Sequence, residues 1–311
     1  ELHPIVPLIL EYRELQKLLT TYIDNIPTML GDDGRLHTSF LQAGTTTGRM
    51  SSQNPNLQNI PNKSELGRNI RKSFIADKDF KLVAFDYSQM ELRIAAFLSG
   101  DEKLVEIFKK GEDVHTAVAS EVFGVSFDKV DKEMRRQAKV INFGIIYGMG
   151  INALRQNLGT DRESAQKFYN EYFKKFSGLA EYLEKVKNET FKKGYTETFF
   201  GRRRYFEGLN SPLPYIRASA ERMAINAPIQ GTGADIVKLA MSNVDEYLRN
   251  ENLLEDVRLL LQVHDELLFE IKNDLVKKVS PEIKKIMESV ISPEETRGVI
   301  CAVDVSIGDN W

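Results

Sequence analysis

The residues best suited to chemistry in this 311-residue chain are two aspartates set in apolar frames. Asp86 follows the short apolar run Leu82–Phe85. It precedes a stretch in which Met90, Ile94 and Phe97 recur at helical spacing, with Gly100 as the stop signal. Asp86 is therefore expected where a buried strand gives way to a helix. Asp265 lies in LLLQVHDELLFEI, Leu259 to Ile271. Apolar alternation on both sides of His264-Asp265-Glu266 predicts a β-hairpin with the polar residues near its tip. The two aspartates are far apart in the sequence, so only tertiary folding can bring them together. If they converge, carboxylates about 4 Å apart repel by about 4 kcal/mol at an effective dielectric of about 20. A divalent cation would remove that cost, and oxygen-only ligands favour Mg²⁺ or Mn²⁺. Taken singly, either Asp reads as a solvated turn or cap, and spacing alone leaves convergence open.

A second group lies in EMRRQAKVINFGIIYGMG. Arg135, Lys139, Phe143 and Tyr147 step by four, so on a helix they fall within about 120° of one another. Met134, Ala138, Ile141 and Ile145 form the opposite, core-facing stripe. Two cations followed by two rings suit a triphosphate and then a sugar and base. A solvated cationic face with two rings in a second packing contact explains the same spacing. In RMAINAPIQGTGAD, Arg222, Asn226 and Gln230 also step by four. Such side chains can test pair geometry at the minor-groove acceptors common to all Watson–Crick pairs, although on most helices they are merely solvated.

The elements that must position these residues follow from the pattern. Residues 8 to 23 repeat apolar positions at helical spacing. Gly31 to Pro61 is a long Gly/Thr/Ser/Asn/Pro-rich stretch with anchors at Leu36, Phe40, Leu57 and Ile60, and long ordered loops of this kind are often functional. Residues 101 to 200 read mainly as helices, and Val299 to Ile307 as a final strand. The composition is that of a globular protein, with 42% hydrophobic and 28% charged residues. A net charge of −3 gives no global basic signal, though a local basic groove can sit on an acidic whole. One cysteine, Cys301, excludes an internal disulfide and fits a small apolar strand residue in a reducing compartment. No run is apolar enough to cross a bilayer, and the first residues lack a signal peptide's pattern.

Several blocks, in order, resemble the family A DNA polymerases of the bacterial DNA polymerase I type. DYSQMELR (Asp86 to Arg93), RRQAKVINFGIIYG (Arg135 to Gly148) and VHDE (Val263 to Glu266) are similar to its three polymerase motifs. TTTGRMSSQNPNLQNIP (Thr45 to Pro61) and RMAINAPIQGTGAD (Arg222 to Asp235) are similar to further blocks. The likeness runs from about residue 3 to Trp311. It implies an α+β, right-hand polymerase fold: an antiparallel palm sheet, a mostly helical fingers subdomain, and a thumb that is largely absent. The implied division is 1–40 for the base of the thumb and entry to the palm, 41–95 for the first part of the palm, 96–218 for the fingers, and 219–311 for the second part of the palm.

The resemblance also implies roles. The activity is DNA-templated addition of deoxynucleotides to a primer 3′-hydroxyl, with release of pyrophosphate. Asp86 and Asp265, with the backbone carbonyl of Tyr87, would hold two Mg²⁺ ions, for which Mn²⁺ can substitute. One ion would acidify the primer hydroxyl and the other would clamp the triphosphate. Arg135 and Lys139 would grip the phosphates, assisted by His115 and Gln89. Phe143 would stack near the sugar and base, and Tyr147 would occupy the template-base position until the fingers close. Arg49, Arg222, Asn226, Gln230 and His264 would contact the primer-template DNA. Glu266 is left between a metal contact and a supporting role. Glu91 would block a ribose 2′-hydroxyl, and Phe143, lacking a hydroxyl, implies discrimination against dideoxynucleotides.

Met90 stands where the family often has Ile. The family's upstream exonuclease-like domain is not in these residues, so the resemblance implies a removed segment or a separate chain supplying it. A bacterial cytoplasmic setting, in a nucleoid or a phage-infected cell, is expected, with no membrane partner. Three other readings compete. A phage-type single-subunit RNA polymerase is disfavoured by Glu91 and Phe143. A catalytically inactive nucleic-acid-binding subunit is disfavoured by the intact Asp86, Asp265, Arg135 and Lys139. A metal phosphohydrolase is disfavoured by a total of four histidines.

Overall fold

The computed structural model describes residues 3–61 and 64–311 and divides into two compact units. The first comprises residues 1–86, 245–284 and 304–311; the second comprises 87–244 and 285–303. The palm segments expected at 41–95 and 219–311 are each divided between these units.

The chain opens with helix α1 (Ile5–Leu18), which continues as a π-helical turn over Leu19–Ile23. The stretch expected as a loop contains a short hairpin, β1 (Ser39–Leu41) paired antiparallel with β2 (Ser51–Gln53), then a 3₁₀ turn at Leu57–Asn59. Its small polar residues make local bonds that hide this regularity from a hydrophobic pattern: Thr38 Oγ1 donates to the Pro55 carbonyl (2.7 Å) and Ser52 Oγ accepts from the Leu57 N–H (2.9 Å). Helix α2 (Glu65–Arg71) leads to strand β3 (Phe80–Tyr87).

The second unit is mainly helical: α3 (Met90–Ser99), α4 (Glu102–Lys110), α5 (Val114–Phe123), α6 (Lys132–Ile146), α7 (Ile151–Leu158), α8 (Arg162–Lys175) and α9 (Ser177–Lys193). Their ends are written in the sequence. Asp101, Asp113, Asp131 and Asp161 each accept a backbone N–H three residues on, capping α4, α5, α6 and α8. Such a cap contributes about 1 kcal/mol. Gly100 and Gly111 close α3 and α4 in the left-handed conformation that glycine adopts at little cost. A small hairpin follows, β4 (Tyr195–Glu197) with β5 (Arg203–Tyr205). Then comes the long helix α10 (Pro214–Asn250).

Strands β6 (Val257–Val263) and β7 (Glu266–Lys272), helix α11 (Val276–Glu288) and strand β8 (Val303–Gly308) complete the chain. The four-stranded sheet has the order β6-β7-β3-β8, with β7 antiparallel to both β6 and β3. The final strand starts at Val303 rather than Val299. Alternation along β3 sends Val83, Phe85 and Tyr87 to one face, all nearly inaccessible. Phe85 meets Phe269 edge-on at 5.6 Å there. Leu82, Ala84 and Asp86 point to the other face. On this side Leu18, Tyr22, Leu57, Ile60, Leu82, Leu261, Val263 and Leu268 form a buried cluster. Asp86 thus stands at the rim of a hydrophobic layer.

Candidate active site

The sheet brings the two sequence-distant aspartates to one end. In the β3/β7 ladder Asp86 lies directly opposite Glu266, and in the β6/β7 ladder Glu266 faces Val263. Only His264 and Asp265 are left to make the turn. The hairpin forms as expected, with Glu266 as the first residue of β7, and Asp86 lies at the end of a strand that runs one residue further, to Tyr87. His264 takes φ +56°, the left-handed conformation that a two-residue hairpin turn demands.

The electrostatics of this corner are unfavourable in isolation. Asp86 is accessible at the surface, yet protein crowds its carboxyl. That loss of hydration, followed by the charges of Asp265, Glu266 and Asp304, raises its pKa to about 7. Asp265 is also raised, by burial, against opposition from its own backbone N–H, Arg49 and His264. Glu266 is held from behind: Trp311 Nε1 donates to its Oε1 at 3.0 Å, and the Arg71 guanidinium lies 4.2 Å over the Trp311 ring. Gln58 Nε2 donates to Gln262 Oε1 (2.8 Å), and Gln262 donates in turn to the His264 carbonyl, tying the turn to the 3₁₀ segment. Sequence reasoning missed Asp304, Arg71, Trp311, Gln58 and Gln262. An acid interrupting the final alternating strand was the available signal for Asp304; the others carry none.

Among the described residues, no group of three or more His, Cys, Asp or Glu side chains is arranged to hold a metal ion. The donor set instead suits an ion that keeps much of its coordination for water and phosphate. Two oxygen-bearing side chains, each penalised for carrying charge, match the way Mg²⁺ is usually held. Asp86 and Asp265 fit that group.

The second unit carries the cationic face. Ala138, Ile141 and Ile145 are buried on one side of α6, while Arg135 and Lys139 are exposed on the other. Arg135 makes a bidentate pair with Asp113 (2.9 and 2.8 Å). Burial opposes ionisation of Asp113, but the hydrogen bonds from Arg135 and Thr116 outweigh it and hold the carboxyl far below its ordinary range. His115 is buried, with Asn142 Nδ2 donating to its Nδ1 at 3.1 Å. Burial lowers its pKa to about 4, aided by the charges of Arg135 and Lys139 and opposed by Asp113. Its ring centre lies 5.7 Å from that of Phe143. Tyr147 falls just past the end of α6, and its hydroxyl donates to Glu91 Oε2 at 2.7 Å. Gln89 caps α3 from the left-handed conformation, φ +53°, which sets Gln89 and Glu91 on its first turn.

Helix α10 carries Arg222, Asn226 and Gln230 as the spacing predicts. Arg222 is exposed and Gln230 half-buried, whereas Asn226 is buried and its Nδ2 donates to the Ile146 carbonyl at 3.2 Å. Gly148 takes φ +66°, and a Cβ there would meet Arg222 Cγ at 3.0 Å, so glycine allows the close passage of α10. Arg49, in the first unit, is half-buried and close enough to Asp265 to oppose its raised pKa.

The family model for DNA polymerase family A matches residues 1–311. The chain belongs to that family. It is 48% identical over its whole length to the thermostable DNA polymerase I of Thermus aquaticus, of which it spans 36%. It is 45% identical over 97% of its length to DNA polymerase I of Pseudomonas aeruginosa, spanning 33% of that protein. Among solved structures, the POL domain of Pol1 from M. smegmatis, in complex with DNA primer-template and dNTP, superposes with a TM-score of 0.93 at 41% identity. That match covers 99% of this chain and 53% of the other. The α+β polymerase fold of the family is therefore the fold of this chain, which spans about a third of the curated relatives it matches. No helix among the described residues is long and apolar enough to cross a membrane.

Proposed function

We propose that this chain extends a primer 3′-hydroxyl with deoxynucleotides on a DNA template. The observation that carries the reading is the pairing of β3 with β7, which sets Asp86 beside the turn bearing Asp265. Two carboxylates gathered at the cost of their own ionisation make an expensive surface but a useful metal platform. The family, and a relative solved in complex with DNA primer-template and dNTP, support the same substrate class.

In this reading Asp86, Asp265 and the backbone carbonyl of Tyr87 would hold divalent ions, Mg²⁺ or Mn²⁺. When bound, such ions supply Lewis acidity to the attacking hydroxyl and the leaving pyrophosphate. The remaining work belongs to side chains. Arg135 and Lys139 neutralise phosphate charge, His115 contributes a neutral ring, and Gln89 a polar contact. Phe143 offers an apolar face to the sugar and base. Glu91 fills the space a 2′-hydroxyl would need. Tyr147, bonded to Glu91, occupies the template-base position before a nucleotide is accepted. Arg49, Arg222, Gln230 and His264 engage the duplex. Asn226 joins them with one amide N–H already committed to Ile146. Glu266 is a supporting residue in this scheme, since Trp311 already holds one of its oxygens.

Primer extension tests the reading. The chain should extend an annealed primer with dNTPs and Mg²⁺, use ribonucleotides poorly, and lose extension by at least about 10³-fold in Asp86→Ala. Equal extension by the variant would remove the metal platform from the mechanism. Preference for ribonucleotides would favour a transcribing enzyme.

A further inference from the structure

Arg135 is not a free cation. Its Nε donates to Asp113 Oδ1 at 2.9 Å and its Nη2 donates to Oδ2 at 2.8 Å. Asp113 is itself fixed. Its Oδ1 also accepts the Thr116 backbone N–H (2.8 Å) and the Thr116 hydroxyl (2.7 Å), as the N-cap of α5. Two residues further on is His115, buried against Phe143 and Asn142 of α6. One carboxylate therefore ties the start of α5 to the first turn of α6. Both Arg135 and His115 are referenced to it.

The geometry leaves the guanidinium usable. A bidentate pair through Nε and Nη2 occupies one edge of the planar fork. Three N–H groups remain, and two of them, one on Nη1 and one on Nη2, lie side by side along the adjacent edge. That edge is a second fork of the kind that takes a phosphate. Without the carboxylate, the long, half-exposed arginine would sample many rotamers, and ordering it would fall to the incoming ligand.

We propose that Asp113 is a positioning residue, which holds Arg135 by one edge so that the other edge faces the terminal phosphates of the incoming nucleotide. This rests on the phosphate-binding reading of α6 given above. Asp113 touches no substrate atom; it acts by meeting the ordering cost during folding.

Asp113→Asn keeps a capping side chain but removes the charge and the bidentate pair. In steady-state primer extension, KM for dNTP should rise about tenfold with kcat within about twofold, and the melting temperature should hold. In an Arg135→Ala background the same change should add nothing to KM, because the group it positions is gone. Unchanged or lowered KM in Asp113→Asn, or full additivity with Arg135→Ala, overturns the proposal; a lowered KM would mean that the carboxylate competes with phosphate. If Arg135→Ala itself leaves KM unaltered, the phosphate role of α6 fails and this inference with it, which is a distinguishable result. Should Asp113→Asn lose stability, Asp113→Ser, also a good cap, must give the same pattern of KM.

Discussion

Glu91 meets two demands with one carboxylate: it accepts from the Tyr147 hydroxyl, and in the proposed reaction it fills the space beside the sugar. Shortening it tests the second role. Glu91→Ala should raise ribonucleotide incorporation relative to deoxynucleotide by at least about tenfold in competitive extension, since a pocket that merely fails to welcome a hydroxyl rejects it weakly. His115 gives a test without substrate. Its folded pKa of about 4 lies below the ordinary histidine value. As pH falls from about 6.5 towards 4, the unfolded chain takes up the proton first, so stability is lost with acidification. At pH 5 this one buried ring should cost about 2 kcal/mol. His115→Asn should show a flatter dependence of melting temperature between pH 7 and pH 5 than the parent chain. The placement of Asp86, Asp265, Arg135 and Lys139 on strand, turn and helix was legible because each interrupts or continues a clear period. Asp113 was not, because a capping aspartate looks the same whether or not an arginine reaches it from another helix.

At the scale of elements, the buried Glu270 shows what period reading cannot supply. It sits on β7 opposite Leu82, fully inaccessible, with Arg35 Nη2 at 3.2 Å, Arg258 Nη1 at 3.3 Å and the Asp77 N–H at 2.8 Å. An acid within an apolar strand contradicts simple alternation and is tolerated only because donors converge on it from three segments. Glu270→Ala should destabilise the sheet by about 2 kcal/mol, measured by urea unfolding, since the Asp77 N–H loses its acceptor and both arginines lose their nearer carboxylate, Asp77 remaining 3.9 Å from each. Within the second unit, the helical character of residues 101 to 200 was legible, but the separate helices were not drawn, although Asp101 and Gly111 bracket α4. The β1–β2 hairpin was not, because Thr and Ser side chains rather than apolar alternation hold it.

For the whole chain, a net charge of −3 says little about where a polyanion would bind. The proposed duplex contacts, Arg49 and Arg222, are local, so affinity for primer-template should fall with salt even though the protein is acidic overall. Replacing Arg222 with Ala should weaken primer-template binding by about tenfold, as expected for the loss of one minor-groove contact, and this can be read by fluorescence anisotropy. The fold class was legible at this scale because the motifs occur in order along the chain. The division into units was not: the first of its four crossings falls between Asp86 and Tyr87, inside a strand, where no change of composition marks it.

The turn joining β6 to β7 contains only His264 and Asp265, and both flanking residues are locked in ladder pairs. Such a loop has no slack. Lengthening it by a single amino acid would have to be absorbed as a bulge or as a slip in register, and a slip would exchange the two buried faces of β7. Substitution at this corner changes chemistry alone, whereas insertion also disturbs the pairing of β6 with β7, so the reach of the Asp265 carboxylate is set by the sheet.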